Sequence, residues 1–303
     1  KFANALADNR IVWTNDGKGR PQLKVFYEEK KDYGSVDNSW FSYERVGTAT
    51  SGTKELMKIF DGNSFFDTPK PTQLLQKLID LANLQDDSII LDFFSGSATT
   101  AHAVMKLNAE DGGNRKFIMV QLPEVCDEKS EAYKAGYKNI CEIGKERIRR
   151  AGKKIIEENP LTTQNLDVGF RVLKCDTTNM EDVYYTPDHF NKNDLFKSNI
   201  KPDRTPEDLL FQVMLDLGIM LSSKIETKEI DGKTVFYVEG NYLVACFTEN
   251  VDEKTITQIA KEKPYYFVMR DASMASDSVA TNFEQIFKTY LGESYNPDNI
   301  RII

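Results

Sequence analysis

SIILDFFSGSATTAHAV, residues 88–104, decides the fold. Ile89, Ile90 and Leu91 form a continuous apolar run closed by Asp92, as a strand of a parallel sheet would be. Ser95-Gly96-Ser97 is a short turn, and a helix starts at once with ATTAHAVMKLNAE, residues 98–110. Downstream, KFIMVQL, residues 116–122, predicts a second buried strand. Upstream, Leu74, Leu75, Leu78, Ile79 and Ala82 have helical spacing over 72–84, with Pro71 suited to a first turn. Ile140, Ile143, Ile148, Ala151 and Ile155 predict one long helix over 131–158, and VGFRVLKCD, 168–176, a further strand. Helix and strand alternate, which predicts an α/β fold, a parallel sheet with crossover helices.

The flanks read differently. Residues 1–60 hold a hairpin signal, two short strands around Asn15-Asp16-Gly17, and then no clear core of their own; they read as the tail of something begun earlier. Residues 177–206 are polar, contain three prolines and read as a linker. A second, smaller α/β unit follows. It holds a helix at 206–217, a hairpin of 224–230 with 234–238 around Asp231-Gly232, strands at 242–247, 265–270 and 299–303, and helices at 253–262 and 280–291. Three segments are therefore expected: 1–60, 61–178 and 179–303.

Composition excludes several classes. Of 303 residues, 40% are hydrophobic and 28% charged, ordinary for a soluble globular protein. No run approaches the roughly 18 apolar residues of a membrane span. The four cysteines form no CxxC pair and there are only two histidines, so a zinc site is not expected. Scattered cysteines suit a reducing cytosol, each as a small core residue. The net charge of −8 lies wholly beyond residue 160, because residues 1–160 hold 24 basic and 24 acidic side chains. A phosphate footprint is therefore better sought in the first half, where the run 138–154 holds seven basic and two acidic residues. The chain opens at Lys1 and not at Met, so it is expected to be part of a longer polypeptide.

Candidate chemistry sits at the turn. A Gly/Ser turn between strand and helix exposes backbone N–H groups, and open α/β sheets bind ligands at the carboxyl ends of their strands. The single Gly96 does not make a dinucleotide fingerprint, and no Gly-Lys-Ser/Thr ending makes a P-loop. His102 lies within a helix of apolar residues and reads as packed, and His189 has no evident partner. Trp13 and Trp40 read as core.

The pattern D-x-F-x-G-S, Asp92 to Ser97, resembles the motif by which S-adenosylmethionine-dependent DNA methyltransferases hold their cofactor. Members often have Gly-Thr after the Ser, where this chain has Ala98-Thr99. FFDTPKPTQLL, residues 65–75, resembles the F-x-x-P-x-K-P element that precedes the cofactor strand, and QLPE, 121–124, ends the second strand in an acid. Together with NICEIGKERIRRAGKKI and the C-terminal KIETKEIDGKTVF, these stretches resemble the modification (Mod) subunit of type III restriction–modification systems over most of the chain.

The resemblance implies a Rossmann-like, S-adenosylmethionine-binding half of an adenine-specific DNA methyltransferase. It places cofactor contacts at Asp92, Phe93, Phe94, Ser95, Gly96 and Ser97. It gives the ribose hydroxyls to Glu124 and the neighbourhood of the methionine end to Asp67 and Lys70. It implies double-stranded DNA as partner, a homodimer and a restriction subunit, with residues 179–303 serving dimerisation or docking, and a cytoplasmic location. The family's catalytic Asp-Pro-Pro-Tyr tetrapeptide is absent, since none of the ten prolines is adjacent to another, so no catalytic residue is assigned. Two alternatives share the cofactor half: a methyltransferase acting on RNA or a small molecule, and a non-catalytic module that binds cofactor or partner. Sequence-reading loops upstream of Lys1 would favour DNA, and a start codon just before it would favour the module.

Overall fold

The computed structural model describes residues 2–29, 31, 37–181 and 199–303. It divides into two compact units, residues 1–170 and 171–303. Residues 1–60 thus group with the first unit, and the division falls at 170/171, ahead of the expected 178/179. His189 and much of the predicted linker, residues 182–198, lie outside the described residues.

The first unit begins with α1 (Phe2–Ala7) and a hairpin of β1 (Ile11–Trp13) and β2 (Pro21–Leu23), paired antiparallel as predicted. Asp16 and Gly17 turn between them in the left-handed region, φ 50° and 89°. Trp13 and Trp40 are both exposed, not core. Next come α2 (Tyr43–Val46) and α3 (Ala49–Ile59). The sequence reading missed α3, although its start is well signalled. Thr48 Oγ1 accepts from the Ser51 amide at 3.2 Å and Ser51 Oγ accepts from the Thr48 amide at 2.7 Å, a reciprocal cap. Leu56, Ile59 and Phe60 then bury in one core with the helices that follow, so this segment does share a core.

That core is built from α4 (Thr72–Leu81), β3 (Ile89–Asp92), α5 (Thr99–Asp111), β4 (Lys116–Met119), α6 (Glu131–Lys134) and α7 (Ile140–Glu158). β3 and β4 pair in parallel, Ile89 with Lys116 through Asp92 with Met119. Side chains alternate across a strand. Ile90, Phe117 and Met119 pack onto the helical layer. Ile89, Leu91, Ile118 and Val120 are exposed, so the expected burial on both faces is not found.

The single helix expected over 131–158 is two. Gly136, at φ 99°, ends the short first piece, and Asn139 Oδ1 caps the second by accepting from the Glu142 amide at 3.1 Å. Residues 168–176 form no strand.

The second unit runs α8 (Pro206–Asp216), β5 (Ile225–Ile230), β6 (Lys233–Val238), β7 (Leu243–Cys246), α9 (Glu253–Lys261), β8 (Tyr266–Met269), α10 (Asp277–Leu291) and β9 (Ile300–Ile302). Every element predicted here forms. The sheet order is β5-β6-β7-β8-β9, antiparallel across the first three strands and parallel across the last three. Along β6, Val235 and Tyr237 face a core with α9 and α10, while Phe236 and Val238 face one with α8. Helices cover both faces, which is why β7 reads as an uninterrupted apolar run. Cys246 is buried there, but Cys175 is exposed, so not every thiol is a core residue. Among the described residues, no helix is long and apolar enough to cross a membrane.

Candidate cofactor turn

Asp92 closes β3 at the sheet's carboxyl edge. Its Oδ2 accepts from the Thr100 hydroxyl at 2.5 Å and its Oδ1 from the Phe94 amide at 3.2 Å, which fixes the carboxylate over the turn. The turn is stitched to the chain beyond β4. Ser95 N–H donates to the Val120 carbonyl at 3.2 Å, and Gly96 N–H donates to Gln121 Oε1 at 2.7 Å. Ala98 N–H donates back to the Ser95 carbonyl at 2.7 Å. Three amides of the turn are therefore engaged within the protein, and it offers fewer free donors than a strand–turn–helix reading implies.

Gly96 is where three segments meet. Gln121 reaches it from the QLPE stretch. Phe66, from the segment before α4, lies so close that a Cβ at position 96 would stand 3.0 Å from Phe66 Cζ. Phe65 beside it packs edge-on to Phe60, centroids 5.2 Å apart. Gly96 (φ 50°) and Ala98 (φ 59°) are both left-handed. The left-handed position of Ala98 is one that glycine adopts without strain, and it is the position where the resembling motif often has Gly.

The other expected residues divide in two. Asp67, Lys70, Phe93, Phe94 and Glu124 are exposed. The two phenylalanines are not core residues of this unit; their rings lie 5.2 Å apart, tilted by 54°. Glu124 is anchored by its backbone, whose carbonyl accepts from the Ile140 amide at 3.0 Å at the start of α7. Ser97, by contrast, is buried, and its hydroxyl accepts from Arg147 Nη1 at 2.9 Å. Its side chain is committed inward, leaving only backbone for a ligand.

Arg147, Glu55 and Gly52 escaped the sequence reading. Arg147 counts there as one more cation of the basic run; it is fully buried. Burial lowers its pKa to about 10, with Glu55 opposing the shift. Glu55 Oε2 accepts from the Thr72 amide at 2.9 Å, and its other oxygen accepts from the Thr72 hydroxyl. The signal was available: Arg147 lies between Ile143 and Ile148 on the apolar side of α7, three residues after a glycine. The remaining cations of α7 are paired. Lys145 meets Glu142, Arg149 and Arg150 meet Glu146, Lys153 meets Glu157 and Lys154 meets Glu158. Five cations thus share four acids of the same helix, which favours a solvated, largely ion-paired face over a phosphate-binding one. His102 is packed, as read; burial holds it neutral, with a pKa lowered to about 3.

Residues 6–151 match the model of a DNA methylase family. The chain is 44% identical over 170 residues to the StyLTI Mod subunit, a type III restriction–modification enzyme of Salmonella typhimurium, covering 56% of this chain and 25% of that protein. It is 33% identical over 209 residues to the EcoPI Mod subunit of Escherichia phage P1, covering 68% and 31%. With the EcoP15I Mod subunit of Escherichia coli it shares 31% over 265 residues, covering 86% and 38%. The chain thus spans between a quarter and two fifths of the length of these relatives. Residues 6–151 are thus similar to a DNA methylase family, and the chain is similar to type III Mod subunits.

Proposed function

We propose that this chain is the cofactor-binding part of a Rossmann-like methyltransferase that moves a methyl group from S-adenosylmethionine to the exocyclic amine of adenine in duplex DNA, as part of a type III restriction–modification system. The observation that carries this reading is the convergence at Gly96, where the motif turn meets Phe66 upstream and Gln121 downstream. Three separate motifs of one cofactor family thereby share one site. When bound, the cofactor supplies an electrophilic methyl on a sulfonium, which needs no metal.

The residues fit that group. Asp92 is a half-buried carboxylate already oriented by Thr100 and Phe94, with lone pairs left for a ligand amine or hydroxyl. Glu124 supplies an exposed carboxylate for paired ribose hydroxyls, and Phe93 with Phe94 supply flat apolar surface for a purine. Asp67 and Lys70 offer opposite charges suited to the amino and carboxyl groups of the methionine end. The backbone of Ser95, Gly96 and Ser97 would form the floor of such a site.

In the full-length protein, Asp92→Ala and Glu124→Ala should each weaken S-adenosylmethionine binding. Losing a charge-assisted hydrogen bond costs about 1.5–3 kcal/mol, roughly 10- to 150-fold in affinity. Calorimetry with unchanged affinity in both variants would remove the turn as the cofactor site.

For the second unit we propose a protein-facing role: holding two copies together or docking a restriction subunit, in the cytoplasm where such a system meets DNA. It has a two-sided core of its own, and the chain's net negative charge falls beyond residue 160, which repels phosphate. Deleting residues 171–303 from the full-length protein should lower the mass per particle or abolish restriction-subunit binding. DNA affinity and its salt dependence should stay near wild type. A particle that stays dimeric and keeps its restriction subunit while DNA affinity collapses would place this unit in the DNA footprint instead.

A further inference from the structure

The turn after β3 is held in a shape it would not keep unaided. Ala98 sits at φ 59° and ψ 41°, where a Cβ crowds the following carbonyl. Besides the bonds to Val120 and Gln121, the turn is held from behind, by α7. Arg147 Nη1 donates to Ser97 Oγ at 2.9 Å and to Thr99 Oγ1 at 2.6 Å, gripping the residues on either side of Ala98. One helical turn earlier, Gly144 lets α7 approach. A Cβ there would stand 3.3 Å from the Gly96 carbonyl oxygen and 3.6 Å from the Ala98 Cβ. Residues three apart share a helix face, so Gly144 and Arg147 press on one turn together.

A buried guanidinium is a poor choice if stability alone is served. Nε and Nη2 of Arg147 have no hydrogen-bond acceptor among the described residues, and buried charges are often replaced by apolar side chains without loss. Glu55, whose charge acts on Arg147, spends its carboxylate on Thr72. A group that is awkward for the fold yet fixes a strained backbone points to the shape of that backbone as what matters.

We propose that Arg147, with Gly144 giving it access, is a positioning residue that sets the conformation of the Ser95–Thr99 turn and, through it, the affinity for S-adenosylmethionine. The second half of this statement rests on reading the turn as the cofactor site; the first half does not.

The test uses the full-length protein with Arg147→Met, which keeps length and removes charge and donors, and with Ser97→Ala/Thr99→Val, which removes the acceptors instead. Amide hydrogen exchange across 96–100 reports the turn without any ligand, and calorimetry reports S-adenosylmethionine affinity. Both variants should exchange at least about tenfold faster at the turn and bind at least about tenfold more weakly, since each removes both charge-assisted hydrogen bonds and losing one already costs about tenfold. The three changes together should do little more than either set, because they remove the same contacts. Exchange in α3 and α10 should not move, which separates a local role from general destabilisation. If Arg147→Met fails to fold, the acceptor pair decides alone. Unchanged turn exchange overturns the positioning role. Faster exchange with unchanged affinity overturns the link to cofactor. A wild-type protein that does not bind S-adenosylmethionine overturns the cofactor reading, while the exchange result still stands for the turn.

Discussion

Radiolabelled methyl groups from S-adenosylmethionine should not enter DNA when these 303 residues are the sole polypeptide present. Methylating an amine of adenine requires the base to leave the stack and be held by an acceptor for its amine and an aromatic face. In the resembling family the Asp-Pro-Pro-Tyr tetrapeptide does both, and no two prolines of this chain are adjacent. The sheet tells the same story from the packing side. Parallel strands are normally covered on both faces, yet Ile89, Leu91, Ile118 and Val120 lie open. A further layer is expected to complete both the sheet and the site. Positioning of two reactants can contribute roughly 7–11 kcal/mol to such a transfer, so losing the base-holding half should leave nothing above the uncatalysed background. Adding a polypeptide that carries the tetrapeptide should restore incorporation. Label above background with this chain alone would mean that an unrecognised acid holds the adenine.

What the sequence disclosed follows a physical line. Elements defined by local rules were legible. Asp231-Gly232 both take positive φ, 49° and 73°, as that pair favours in a tight hairpin, and the apolar run of β7 shows burial on two faces. The strand–turn–helix at 89–111 was legible for the same reason. Features that depend on distant partners were not. Residues 168–176 read as a strand but pair with none among the described residues. Val168 and Phe170 instead pack singly onto the core of the first unit. Gly136 divides the helix expected over 131–158, and the apolar spacing that predicted it, Ile140 to Ile155, lies wholly beyond that break. Most instructive is Arg147. Its place on the apolar side of α7 was visible, but its hydroxyl acceptors lie about fifty residues upstream, and side-chain pairs at that separation have no local signature.

Replacing Gly52 with alanine should destabilise the first unit, although propensity alone predicts the opposite. Gly52 lies in the first turns of α3, and Ala exceeds Gly in a helix by about 1 kcal/mol, partly through a less flexible unfolded chain. Packing opposes this. A Cβ at 52 would fall 2.2 Å from the Pro69 carbonyl oxygen and 2.9 Å from both the Lys70 carbonyl carbon and the Pro71 nitrogen. Those neighbours are backbone, not the end of a flexible side chain. They are stiffened by two prolines, and the Glu55 carboxylate pins Thr72 immediately beyond them. Either α3 must back away from the core that Leu56, Ile59 and Phe60 fill, or the Pro69–Pro71 segment must shift. Overpacking against a well-packed neighbour typically costs about 1–3 kcal/mol, and contact this close belongs at the upper end, so a net loss of roughly 2 kcal/mol is expected after the propensity gain. Chemical denaturation followed by circular dichroism should show it, with Lys54→Ala, at an exposed position on the same helix, nearly silent. The same displacement would move the segment that carries Asp67 and Lys70, so cofactor affinity should fall alongside stability. A Gly52→Ala protein more stable than wild type would mean that α3 does not seat against Pro69 in solution, and that the segment before α4 is not held where the cofactor reading needs it.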